Sequence, residues 1–225
     1  MIGKILSSAI KLYLRSQVDR IEGLKVKITG KSKQILQGDI PQVSLSCDRA
    51  VYQGLHLSQI ELEGNKIAIN LPEVIKKQPL RLIEPILVEI QLKLNAEDLQ
   101  ASLESELLQS GLRDLWTMIL AAQNFQDLAD AEINWQNIAI ADNKFKLLGN
   151  YQDSSGITHQ LTLSTGINLT DEHTLCLSPL NIINGSLICD RNSQVEIDLG
   201  SDVKIETLIV ESKQIVCLGK IRVNN

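Results

Sequence analysis

Between Ile86 and Gln123 the chain changes its hydrophobic period, and that change limits the folds open to it. Ile86, Val88, Ile90, Leu92 and Leu94 recur at every second residue, which puts them on one face of a strand; Leu99, Leu103 and Leu107 recur at every fourth, which puts them on one stripe of a helix. A strand and a helix joined so closely are expected to share one interior. Asn95 is placed to cap that helix, with Glu97 and Asp98 in its first turn, where carboxylates suit the positive end of the helix dipole. Ser110 and Gly111 predict a break or kink before a second apolar run with Leu112, Leu115, Trp116, Ile119 and Leu120.

The segments on either side extend this pattern. Residues 1–22 hold an amphipathic helix, with Ile2, Ile5, Leu6, Ala9, Ile10, Tyr13 and Leu14 on one side and Lys4, Lys11 and Arg15 on the other. Alternating aliphatics over residues 24–94 predict a strand meander, residues 95–123 the helical region, and residues 132–223 a second strand region. Within the first of these, Pro72, Pro79 and Pro85 bracket PEVIKKQPLRLIEP, a basic and apolar connection that holds a helical turn or two and is excluded from a central strand. The expected class is α+β, many antiparallel strands with few helices, and the 225 residues are read as one domain.

Composition narrows what such a fold does. Aromatic residues make up only 3% of the chain, so its interior is built from Leu, Ile and Val and lacks the stacking surfaces that nucleotides and planar cofactors favour. A net charge of -5 argues against nucleic acid. The charge is uneven: residues 1–40 carry eight Lys/Arg against Asp19, Glu22 and Asp39, a local +5 on a body of -10. A basic patch of this kind suits anionic lipid headgroups or an acidic partner.

No stretch has the length of a transmembrane helix or the continuous apolar core of a secretory signal, which predicts a cytoplasmic protein able to sit peripherally at the inner face of a membrane. Cys47, Cys176, Cys189 and Cys217 lie far apart with no metal-type spacing and are read as reduced, small hydrophobes. The three histidines, His56, His159 and His173, stand in no recognisable motif, and no nucleophile elbow, zinc-protease helix, phosphate loop or dinucleotide fingerprint occurs. No catalytic, metal or cofactor residues are therefore assigned.

Two blocks carry a family resemblance. QILQGDIPQVSLSCDRAVYQGLHLSQIELEGNKIAINL (Gln34 to Leu71) and LNAEDLQASLESELL (Leu94 to Leu108) resemble the LmeA-like phospholipid-binding family of bacteria. The resemblance implies an elongated, curved antiparallel sheet wrapped around one or two long helices, with an apolar cavity for acyl chains and no catalytic residues. The combined expectation is non-catalytic binding or transfer of phospholipid, with Val88, Ile90, Leu92, Leu103, Leu107 and Trp116 lining the cavity and Lys4, Lys11 and Arg15 meeting an anionic membrane surface. The alternative is a solid-core interaction module for a protein partner, and after it a lipid-modifying enzyme with an unfamiliar site.

Overall fold

A computed structural model describes residues 2–123, 131–141, 144–184, 187–188 and 193–224. The amphipathic N-terminus is helix α1 (Ile2–Gln17), followed by β1 (Arg20–Glu22) and β2 (Lys25–Thr29). A short α2 (Ser32–Leu36) leads through Gly38 into β3 (Asp39–Cys47). Gly38 holds φ 89°, and a Cβ there would come within 2.5 Å of the Ile69 carbonyl oxygen, so glycine alone fits this approach. β4 (Arg49–Tyr52), β5 (Leu55–Leu57) and β6 (Gln59–Ala68) follow. The proline-bracketed connection opens with the expected helical turn, α3 (Leu71–Ile75), and then β7 (Ile86–Asn95) begins.

At the period switch, β7 passes directly into α4 (Ala96–Ala101), a 3-10 turn (Ser102–Glu104) and α5 (Glu106–Gln123). Two local expectations are corrected here. α5 runs unbroken through Ser110 and Gly111, and the break falls earlier, at the 3-10 turn. Ser102 accounts for it: fully buried, its Oγ donates to the Asp98 carbonyl (2.6 Å) and accepts the His56 backbone N–H (2.7 Å), so a side chain competes with the helical ladder. Asn95 does occupy the N-cap position, but its side chain makes no capping bond. Ser58 ties this junction together, its Oγ accepting the Asn95 N–H (2.8 Å) and donating to the Asp98 carboxylate.

The second strand region comprises β8 (Asn134–Ala141), β9 (Lys144–Gln152), β10 (Thr158–Leu169), β11 (Thr174–Asn184), β12 (Leu187–Ile188), β13 (Val195–Asp198), β14 (Val203–Glu211) and β15 (Gln214–Val223). It does not stay together. β8 to β12 form one open sheet in the order β12-β11-β10-β9-β8, with β13 against β11, whereas β14 and β15 return to the first half. There they complete a six-stranded sheet, β14-β15-β7-β6-β3-β2, so β7 lies inside it and not at its edge. β1, β4 and β5 make a third, small sheet. Every strand pairing among the described residues is antiparallel, and the class is α+β.

Two apolar clusters hold these layers. The larger joins Leu99, Leu103, Leu112, Trp116 and Ile119 to Trp135, Ile138, Leu147, Leu161, Leu163 and Leu180 of the second sheet, and takes in Leu94, Leu208 and Ile215 of the first. The smaller gathers Leu6, Ile35, Ile40, Val43, Ile67, Ile69 and Leu71 at the other end of the six-stranded sheet, where α1, α2 and α3 meet it.

Candidate functional site

The six-stranded sheet has an aliphatic face and a polar face, and the register of β7 shows how each is built. Ile90 lies between Leu62 on β6 and Gly219 on β15; Leu92 lies between Ile60 and Cys217; Val88 lies between Gly64 and Ile221. Because strand side chains alternate, these residues share one face, continued outward by Leu45 and Val26 on one flank and Ile205 on the other. At one end this face enters the smaller cluster through Ile86, and at the other it enters the larger cluster through Leu94. Between the two, Ile60, Leu62, Ile90, Leu92 and Cys217 belong to neither cluster and are only half-buried, although they stand on interior strands. An aliphatic surface in the middle of a sheet is thus left incompletely covered.

α1 flanks this surface along the β2 edge, where the Ser7 hydroxyl reaches the Val26 carbonyl at 3.5 Å. Its apolar stripe is tight at Leu6, 1% exposed, and loosens along the helix until Tyr13 is 43% exposed. Lys11 is half-buried and Arg15 exposed, while the Lys4 side chain lies outside the described residues.

The residues expected to line one cavity separate into three places. Val88, Ile90 and Leu92 share the aliphatic face. Leu103 and Trp116 are buried in the larger cluster, where the Trp116 ring meets Trp135 edge-on with centroids 6.3 Å apart. Leu107 is 40% exposed. Strand and helix therefore share an interior at Leu94, where β7 runs into α4, and not along the length of β7. Ile60, Leu62 and Cys217 belong to the same surface as Ile90 but were not singled out in the sequence; their alternation marks strands without telling which strand each one joins.

The opposite face carries the charge. Lys25, Ser46, Glu61, Gln91 and Leu218 form one row across the sheet, and Lys27, Ser44, Glu63, Glu89 and Lys220 form the next. A trough of about 630 Å³ lies along these rows, lined also by Glu206 and by Leu45, Leu62 and Ile90 of the strands between them. Lys220 Nζ lies 2.6 Å from Glu206 Oε1; this pairing holds the Glu206 carboxyl below its usual range and raises the Lys220 ammonium above its own. Gln42 Nε2 donates to Glu63 Oε1 at 2.6 Å. Apart from Leu218, the side chains of these two rows are charged or polar, and burying them against hydrocarbon without partners is costly.

Two of the histidines have polar partners. His159 Nε2 lies 2.7 Å from Asp153 Oδ2 at a hairpin turn, and His173 Nδ1 meets the Val203 carbonyl. Cys47, Cys176 and Cys217 are free thiols, and burial raises those of Cys47 and Cys217 above the ordinary value; Cys189 lies outside the described residues. Among the described residues no three His, Cys, Asp or Glu side chains gather as a metal site, and no helix is long and apolar enough to cross a membrane.

The molecule is an α+β protein of open antiparallel sheets whose central sheet keeps an aliphatic face half-covered between two packed ends. The model of the LmeA-like phospholipid-binding family matches residues 1–220, and the chain belongs to that family. No curated protein and no solved structure matches the chain. Family membership supports lipid binding.

Proposed function

We propose that this single-domain protein binds phospholipid without catalysis, laying acyl chains along the aliphatic face between the two clusters and beside α1, and transfers them at an anionic membrane. The reading rests above all on the half-buried state of Ile60, Leu62, Ile90 and Leu92 in the interior of a six-stranded sheet. Each methylene withdrawn from water contributes about 0.8 kcal/mol, so part of one acyl chain offsets the usual cost of association. Val88, Ile90 and Leu92 form the floor in this proposal; Leu103 and Trp116 close its far end, and Leu107 stands at its rim. Lys4, Lys11 and Arg15 of α1 bring the protein to the headgroups, each cation contributing about 1 kcal/mol near an anionic surface.

The test is phospholipid loading followed by native mass spectrometry. Parent protein mixed with phosphatidylglycerol in detergent is expected to retain lipid after the detergent is removed. Ile90→Glu places a charge on the floor and is expected to abolish that retention while the protein stays folded by circular dichroism. Parent protein that retains no lipid, or an Ile90→Glu variant that loads as the parent does, overturns the proposal; in the first case a protein-binding module becomes the better reading.

A further inference from the structure

The end of the molecule that holds the smaller cluster sets exposed aliphatic side chains among cations. Beneath it Ile35, Ile69 and Leu71 are buried together, which brings α2, α3 and the segment after α3 into one group. That segment is tied back by the Asn70 side chain, whose Oδ1 accepts the Arg81 N–H (2.7 Å) and whose Nδ2 donates to the Pro79 carbonyl (3.0 Å), and by a bridge between Ile69 and Leu82. Three large aliphatics on this ordered group face solvent: Leu36 is 53% exposed, Ile75 58% and Ile83 58%. Four exposed cations, Lys33, Lys76, Lys77 and Arg81, are interleaved with them, and none forms an ion pair with another described residue. Of the nearby carboxylates, Glu73 is turned onto Asn70 at 2.8 Å, and Asp39 and Glu84 remain.

Exposed aliphatics beside unpaired cations, on a chain whose net charge is -5, are matched by a surface both anionic and apolar just beneath. We infer that this end is the membrane-docking tip: Leu36, Ile75 and Ile83 insert among the acyl chains of an anionic bilayer while Lys33, Lys76, Lys77 and Arg81 hold its headgroups. The position is apt, because the aliphatic face of β7 begins here at Ile86, which packs on the same cluster. The inference rests on the lipid-binding reading for its purpose, but not for its test.

The experiment uses full-length protein and sedimentation with phosphatidylglycerol/phosphatidylcholine vesicles, with phosphatidylcholine vesicles as control. The parent is expected to sediment with the anionic vesicles and to be released by salt, since the Debye length shrinks to about 3 Å at 1 M. Lys76→Glu/Lys77→Glu is expected to weaken sedimentation by at least about tenfold, and Ile75→Ser/Ile83→Ser to weaken it comparably at low salt. Both pairs are exposed, so thermal unfolding is expected to match the parent, and lipid loading from detergent, which needs no docking, is expected to persist. Lys11→Glu/Arg15→Glu is the comparison on α1. Undiminished sedimentation of both tip variants, or a parent that ignores anionic vesicles, overturns the tip whether or not lipid loads. Loss of sedimentation in the tip variants supports it even if the parent never loads lipid.

Discussion

Asp153 shows what one side chain does when the backbone is arranged around it. Its carboxylate accepts the Ser155 and Ile157 N–H groups (2.9 and 3.0 Å) and pairs with His159, whose ring stacks on Tyr151 at 5.3 Å. The His159 contact first, and then the backbone donors, lower its pKa to about 2. The folded value lies below the unfolded value of about 3.9, so the stabilisation is present above that pH and is lost as pH falls through about 2. The carboxyl carbon of Asp153 is therefore expected to titrate near 2 by NMR; a midpoint of about 4 would contradict the turn geometry. Trp116 is the opposite case, a buried indole whose N–H has no acceptor among the described residues. Replacing it with Phe removes that unmet donor and keeps most of the ring, so Trp116→Phe is expected to change stability by less than about 1 kcal/mol, against about 3–5 kcal/mol for Trp116→Ala in denaturant titration.

At the scale of elements, the joints matter more than the elements. Ser58, Asp98, Ser102 and the His56 backbone form one chain of hydrogen bonds that fastens β5 and the start of β6 to α4. Ser102→Ala removes the acceptor of the half-buried His56 N–H, and is expected to cost about 1–3 kcal/mol in urea unfolding. A second joint lies where β14 bulges against β15 between Ile205 and Thr207. There a Cβ on Gly219 would stand 2.2 Å from the Lys204 carbonyl oxygen, so the backbone of one strand occupies the place of the other's side chain. Gly219→Ala is expected to destabilise by about 1–3 kcal/mol and to speed hydrogen exchange along β14. Neither joint is visible in hydrophobic periodicity, which records faces and not side-chain bonds. The Ser110-Gly111 pair shows the same limit: weak helix formers in sequence, yet absorbed by α5 because Leu112, Trp116 and Ile119 are buried on its inner side.

For the molecule as a whole, two packed ends and a half-covered middle predict an uneven map of mutational cost. Leu103→Ala, inside the larger cluster, is expected to cost about 2–5 kcal/mol. Ile90→Ala removes a side chain of similar size from the half-covered face and is expected to cost less than about 1.5 kcal/mol. Equal costs in denaturant titration would mean that the face is as closely packed as the core, leaving no room for acyl chains.

The sequence by itself determined the local periods and their order: β7 with Ile86 to Leu94 on one face, a helix starting after Asn95, an amphipathic N-terminal helix, and strands enough for an antiparallel α+β fold. These depend on neighbours a few residues away, and burial of one face is enough to write them into the chain. Two loose blocks were also enough for the family. The neighbours of Ile90 were decided only by the tertiary structure. β15 returns from the far end of the chain to pair with β7, which moves Ile90 from an edge to the middle of a sheet and separates it from Leu103 and Trp116. Strand pairing is non-local: the same alternation satisfies an edge strand, a central strand or either sheet. The packing of the two ends, and not the pattern within β7, left one aliphatic face half-covered.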